Sequence, residues 1–191
     1  MIMIPGSLPG VYEITLSSNP DLRGYFQRLY DEQTFQEFGL HCNWVQENRS
    51  FSRKKGTIRG LHMQFGVHAE TKLIRVSKGA IYDVFVDLRK DSPTFCMWDA
   101  VLLTEDNQRM VYIPKGFAHG FCTLVDDTEV VYKVDHVYSP AHEGGVYWKD
   151  ETLRINWPIL KPVISNKDQR LPSLEVFLNQ HEDYQNRGRS T

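Results

Sequence analysis

The chain has 191 residues, 41% hydrophobic and 24% charged, enough to bury one substantial core. Its 22 basic and 24 acidic residues leave a formal net charge of -2, with no basic stripe to bind nucleic acid and no like-charge run to keep a tail disordered. No apolar run approaches the roughly 20 residues that cross a bilayer, and MIMIPGSLPGVYEI lacks the basic-then-apolar order of a signal peptide.

Along the chain, the first clear element is a helix over 31–39, DEQTFQEFG, with Asp31 as its cap and Gly39 as its left-handed stop. From about 43 to 157 the pattern changes to short strands: WVQENRSFS, TKLIRVSKG, AIYDVFVDLR, MWDAVLLTE, RMVYIP, HGFCTLV and TEVVYKVDHVY. Turn segments such as SRKKG, KDSPT, EDNQ, PKG and SPAHEGG separate them. Strands this short and this frequent predict a sandwich or barrel of the jelly-roll kind, and without alternating long helices a parallel α/β sheet is not expected. A C-terminal helix is expected at 173–185, SLEVFLNQHEDYQ, followed by a frayed NRGRST. Residues 1–191 read as one domain. The three cysteines, Cys42, Cys96 and Cys122, are odd in number and scattered, so they are expected to be packed thiols in a reducing cytoplasm.

Strand parity adds two expectations. If TEVVYKVDHVY runs without a bulge, Val130, Tyr132, Val134, His136 and Tyr138 share one wall. Lys72 shares a face with Ile74 and Val76, which makes it either a snorkelling edge residue or a charge aimed into a cavity.

The chemistry concentrates in 59–75, RGLHMQFGVHAETKLIR. A barrel metal site would want a second imidazole where Gln64 stands; His62, His119 and Glu70 would be left to hold the ion with one partner missing. The alternative is proton transfer beside a ketone. That needs an imidazole base, a fixed cation to stabilise the enolate oxygen and an acid on the opposite face; His62, Lys72 and Tyr132 are of these types.

The ordered set DLRGYF (21–26), WVQENRSFS (44–52), TIRGLHMQ (57–64), KLIRVSKGAIYDVFVDLRKDSPTF (72–95), IPKGFAHGF (113–121), VYKVDHVYSPAHEGGVYWKDETLRINWP (131–158) and SNKD (165–168) resembles the dTDP-4-dehydrorhamnose 3,5-epimerase family of cupin-like barrels. The resemblance covers a core of about 21–168. It implies a mainly β antiparallel jelly-roll with a few short helices, an enzyme without metal or organic cofactor acting on a nucleotide diphosphate 4-keto-6-deoxy sugar, and a homodimer whose N-terminal segment enters the partner's site. Carried over by residue, it implies His62 as the general base, Asp168 as its orienting carboxylate, Tyr132 as the proton donor and Lys72 as the enolate stabiliser. His119 falls near the sugar. Arg23, Arg59 and Lys167 fall at the diphosphate and nucleotide, Gln46, Asn48 and Glu143 at further substrate contacts, and Phe26 and Tyr138 around the base. His68 and Glu70 become loop residues without a necessary role.

Two positions depart from the family pattern: Arg28 stands where Glu is usual, which leaves the nucleotide base open, and Met63 replaces an aromatic. The competing readings are a single-carbon epimerase on another nucleotide sugar, a ketoisomerase, and a barrel that binds without catalysing.

Overall fold

In the computed structural model, which describes residues 1–181, the chain forms β1 (Ile2–Pro5), β2 (Tyr12–Thr15), β3 (Ser18–Asp21), β4 (Gly24–Gln27), α1 (Glu32–Glu37), β5 (Gln46–Ser52), β6 (Ile58–Gln64), β7 (Lys72–Lys78), β8 (Ala80–Asp87), β9 (Trp98–Thr104), β10 (Arg109–Ile113), β11 (Phe117–Thr123), β12 (Thr128–Val134), β13 (Glu143–Gly145), α2 (Asn166–Gln169) and α3 (Leu174–Gln180). The strands make a six-stranded sheet, β1-β2-β10-β7-β12-β5, and a five-stranded sheet, β13-β6-β11-β8-β9, with β3 and β4 as a separate hairpin. All named pairings are antiparallel, the jelly-roll expected from the strand spacing.

Alternation along the strands explains the layers. Ile74 and Val76 of β7, Val130 of β12 and Val111 and Ile113 of β10 pack with Ile81 and Phe85 of β8 and Phe117 and Phe121 of β11 in one buried cluster between the sheets. The other side of β8, Val84 and Val86, meets Leu61, Leu153 and the α3 residues Leu174 and Phe177. Both faces of the five-stranded sheet are therefore covered. On the outer face of the six-stranded sheet, Phe35 of α1 packs with Ile14, Leu73 and Tyr112.

The helix ends match their sequence signals: Asp31 Oδ1 accepts the Thr34 N–H at 3.0 Å, and Gly39 has φ 66°. The packed body begins earlier than the expected boundary at 21. β1 and β2 extend the six-stranded sheet, and Ile14 is fully buried, because even four-residue strands contribute once a longer neighbour such as β10 pairs with them. α3 supplies the expected C-terminal helix from Leu174 to Gln180; the remainder of 173–185 lies outside the described residues beyond 181. The three cysteines are free, Cys122 buried and the others half-buried. Among the described residues, no helix is long and apolar enough to cross a membrane.

Candidate active site

Two cavities of about 540 and 350 Å³ open between the sheets and share His62, Lys72 and Tyr132 in their walls. His62 comes from the five-stranded sheet, Lys72 and Tyr132 from the six-stranded one. On β6 the glycine of RGLH sets the geometry. Gly60 has φ 121°, and a Cβ there would lie 2.6 Å from the Gly120 Cα and 2.7 Å from the His119 carbonyl oxygen. Bare backbone lets β6 and β11 approach so closely, with His62 directly opposite His119.

His62 Nε2 lies 2.9 Å from Asp168 Oδ1. A carboxylate only accepts, so Nε2 carries the hydrogen and donates it, leaving the lone pair on Nδ1. Asp168 is itself fixed: its Oδ2 accepts the Gly60 N–H at 3.1 Å, and its own N–H donates to Ser165, the α2 cap, at 3.1 Å. Burial acts to raise its pKa, but the hydrogen bond and charge of His62 and the Gly60 N–H outweigh it and hold the carboxyl below the usual range.

Lys72 is not a snorkelling edge residue. It is 8% exposed, and its Nζ lies 3.0 Å from Glu70 Oε1. Glu70 is thereby part of the site, contrary to the expectation that it is an incidental loop residue. Gln64, buried at 2% exposure, explains why: its Nε2 donates to Glu70 Oε2 at 2.9 Å, and its Oε1 accepts the Ser139 N–H at 2.5 Å. The residue standing where a metal site would want an imidazole instead ties two loops together.

Tyr132 is half-buried across the cavity from His62, and its hydroxyl makes no hydrogen bond to another described residue. Burial raises the phenol above its ordinary pKa; the charges of Glu70 and Glu143 add to this, and Arg59 offsets part of it. His119 Nε2 bonds Asp83 Oδ2 at 2.9 Å, a fully buried partner on β8. Each cavity imidazole thus has its own carboxylate. Among the described residues no three His, Cys, Asp or Glu side chains gather to hold a metal ion, and Glu70 turns to Lys72 instead of the histidines.

At the mouth, Glu143 Oε2 accepts from Tyr138 at 2.7 Å and from Lys167 at 2.5 Å. Burial would raise Glu143, yet these two hydrogen bonds and the Lys167 charge hold it below the usual range. Gln46 and Asn48 line the smaller cavity, and Gln46 Oε1 accepts the Tyr138 N–H at 2.9 Å. Arg59 lines the larger one and donates to Ser52 Oγ at 3.1 Å and the Phe51 carbonyl at 2.9 Å.

The expected common wall from Val130 to Tyr138 holds only to Val134, where β12 ends. Asp135 there accepts the buried Thr71 N–H at 2.7 Å, and the chain leaves the sheet. Tyr138 reaches the mouth from the following loop, while His136 lies edge-on against His68, ring centroids 5.0 Å apart.

The structure does not bring Arg23 or Phe26 into either of the cavities around His62; Phe26 instead lines a separate one of about 370 Å³ with Asn19, Arg28 and Thr34. Both sit on the β3–β4 hairpin, Phe26 65% exposed and Arg23 paired with Asp21 at 2.6 Å. Arg28 just beyond pairs with Asp31 at 3.0 Å. Met63 faces away from the barrel interior, into the apolar layer with Leu61 and Phe177. Asp83 completes the site without having been singled out for it, and Gln64 and Glu70, weighed only against a metal site, enter it through hydrogen bonds and an ion pair instead. The one sequence signal for Asp83 was its parity with Phe85 and Ile81 on the inner face, a position where a carboxylate needs a partner.

The family model for dTDP-4-dehydrorhamnose 3,5-epimerase matches residues 5–176. A dTDP-4-dehydrorhamnose 3,5-epimerase of Salmonella typhimurium is 44% identical over 180 residues, 93% of this chain and 98% of the relative. Among solved structures, the dTDP-4-dehydrorhamnose 3,5-epimerase of Bacillus anthracis, with TDP and PPi bound, is 48% identical with a TM-score of 0.89, covering 91% of this chain and 99% of that one. The dTDP-6-deoxy-D-glucose-3,5-epimerase of Legionella pneumophila, in complex with dTDP-4-keto-L-rhamnose, is 35% identical with a TM-score of 0.88, covering 94% and 95%.

Proposed function

Because the chain belongs to the dTDP-4-dehydrorhamnose 3,5-epimerase family, enzymes that isomerise nucleotide sugars, we propose that its cavity inverts C3 and C5 of dTDP-4-dehydro-6-deoxy-glucose, giving dTDP-4-dehydro-L-rhamnose. The observation that carries the reading is the convergence of an imidazole from one sheet with an ammonium and a phenol from the other.

Carbons 3 and 5 both flank the C4 ketone, so their protons are acidified by the same carbonyl. His62 removes one through Nδ1. Asp168 holds the ring by Nε2 and stabilises the imidazolium that forms. Electrons shift to the C4 oxygen, where Lys72 meets the developing enolate; removing one such donor typically costs about 3 to 4 kcal/mol in the barrier. Tyr132 returns a proton from the opposite side. Since base and acid descend from facing sheets, a sugar ring lying between them presents one face to each. Exchange with solvent then returns the proton to Tyr132 and removes one from His62, and the same pair serves the second carbon.

Arg59 and Lys167 suit the diphosphate, because guanidinium and ammonium groups match phosphate charge. His119, Gln46, Asn48 and Glu143 take the sugar hydroxyls, and Tyr138 takes the base. Arg23 and Phe26 act in a second copy: the exposed β3–β4 hairpin of one protomer closes the other's cavity in a homodimer. The chemistry runs on side chains alone and needs neither metal nor organic cofactor. A cytoplasmic location fits the free thiols.

Incubation with the dTDP-, CDP- and GDP-linked 4-keto-6-deoxy sugars, followed by NMR of the products, tests the reading. Inversion at both carbons of the dTDP sugar is expected. Inversion at one carbon only, or of the CDP or GDP sugar in preference, would replace it with a narrower epimerase.

A further inference from the structure

Glu70 is an anion in a cavity whose substrate is itself anionic, and nothing in the proton relay above employs it. Its placement is nonetheless built. The carboxylate is nearly buried, with a side-chain exposure of 13%, and both of its oxygens are committed: Oε1 to Lys72 Nζ at 3.0 Å, Oε2 to Gln64 Nε2 at 2.9 Å. Gln64 in turn is anchored on β6, two residues from His62, with its amide nitrogen also reaching the His68 and Val137 carbonyls. A buried amide therefore pins a carboxylate, and the carboxylate pins the ammonium beside the reacting carbonyl.

A lysine stem has four rotatable bonds, and an ammonium donates equally well in many directions. Differential stabilisation of an enolate requires the donor to be in place before charge develops. Ile113 and Val134 flank Lys72 on the two neighbouring strands and confine the stem, but only a charged partner fixes the head. The charge of Glu70 also reaches the Tyr132 phenol, the group that must hold a proton until the enolate forms. The titratable groups lining the cavities with that phenol are Arg59, His62, Glu70, Lys72, His119, Tyr138, Glu143, Lys167 and Asp168, and Glu70 is the anion paired directly to Lys72.

We propose that Glu70 is a positioning residue of this active site, aiming Lys72 at the substrate carbonyl. The inference rests on the proposed function, since it assigns Glu70 a part in that reaction.

Glu70→Gln tests it with little risk to folding, because a glutamine oxygen at 70 still accepts from Gln64. In steady-state assays with the dTDP keto sugar, kcat should fall by about tenfold to a hundredfold, the upper figure being the scale of a catalytic group displaced by about 1 Å, with KM within about twofold. Glu70→Asp, which keeps the charge, should recover part of the loss. The Tyr132 phenol, followed by tyrosinate absorbance as the difference between each protein and its Tyr132→Phe counterpart, should ionise at lower pH in Glu70→Gln than in wild type. An unchanged kcat, or a loss that Glu70→Asp does not recover at all, would overturn the proposal. If wild-type protein leaves the keto sugar unaltered, the proposed function fails instead, and the titration, which needs no turnover, still decides whether Glu70 acts on Tyr132.

Discussion

Asp168 and His62 are separated by 106 residues and meet at 2.9 Å. The contact depends on a short helix whose cap, Ser165, fixes the Asp168 backbone, and on Gly60, whose N–H takes the other carboxylate oxygen. Sheet, loop and helix therefore converge on one hydrogen bond.

Asp168→Asn should lower kcat by roughly a hundredfold or more, because an amide NH2 facing Nε2 favours the wrong imidazole tautomer. It should also alter acid stability. The carboxyl lies below its ordinary range when folded, so it contributes stability above that range, and the contribution is lost as pH falls through the depressed value. Urea midpoints measured from pH 7 downward should thus fall less steeply in the variant than in wild type.

Tyr132→Phe should impair inversion more than deuterium uptake, since proton removal by His62 survives while delivery from the opposite face does not. Parallel NMR of exchange and inversion checks this. Equal losses would mean that Tyr132 is not a face-specific acid.

Gly60→Ala should destabilise the protein on the order of 3 kcal/mol, the cost of forcing a side chain into a disallowed backbone region and against a neighbouring strand. At about 2 to 4 °C per kcal/mol for a chain of this size, the thermal midpoint should fall by about 10 °C. Calorimetry measures it directly.

Mixing His62→Ala with an Arg23→Ala, Phe26→Ala variant should restore activity that neither shows alone. If the β3–β4 hairpin serves the partner's cavity, each hybrid dimer holds one intact site, and activity should approach about a quarter of wild type. If hairpin and cavity act within one chain, every site keeps a defect and nothing is regained.

Much of this fold was legible because the signals are local. Alternating strands with Gly, Pro and Asp turns specify an antiparallel sandwich, and Asp31 and Gly39 bracket α1 as capping chemistry requires. Types and parity were enough to nominate His62, Lys72 and Tyr132. The rest depended on contacts that period-2 reasoning does not contain. Whether Lys72 pointed outward or inward turned on Glu70, which sits in the bend before β7 and is aimed by a buried glutamine on another strand. The fate of His136 and Tyr138 turned on Asp135, which ends β12 by capturing the Thr71 N–H. Arg23 and Phe26 lie on a hairpin that does not reach the His62 cavities of its own chain.

Deuterium exchange in His62→Ala reads proton removal by this imidazole without depending on any later step. In heavy water with dTDP-4-dehydro-6-deoxy-glucose, wild-type protein should place deuterium at C3 and C5, and His62→Ala at neither. Full exchange at both carbons in the variant would contradict the claim that this imidazole removes the protons.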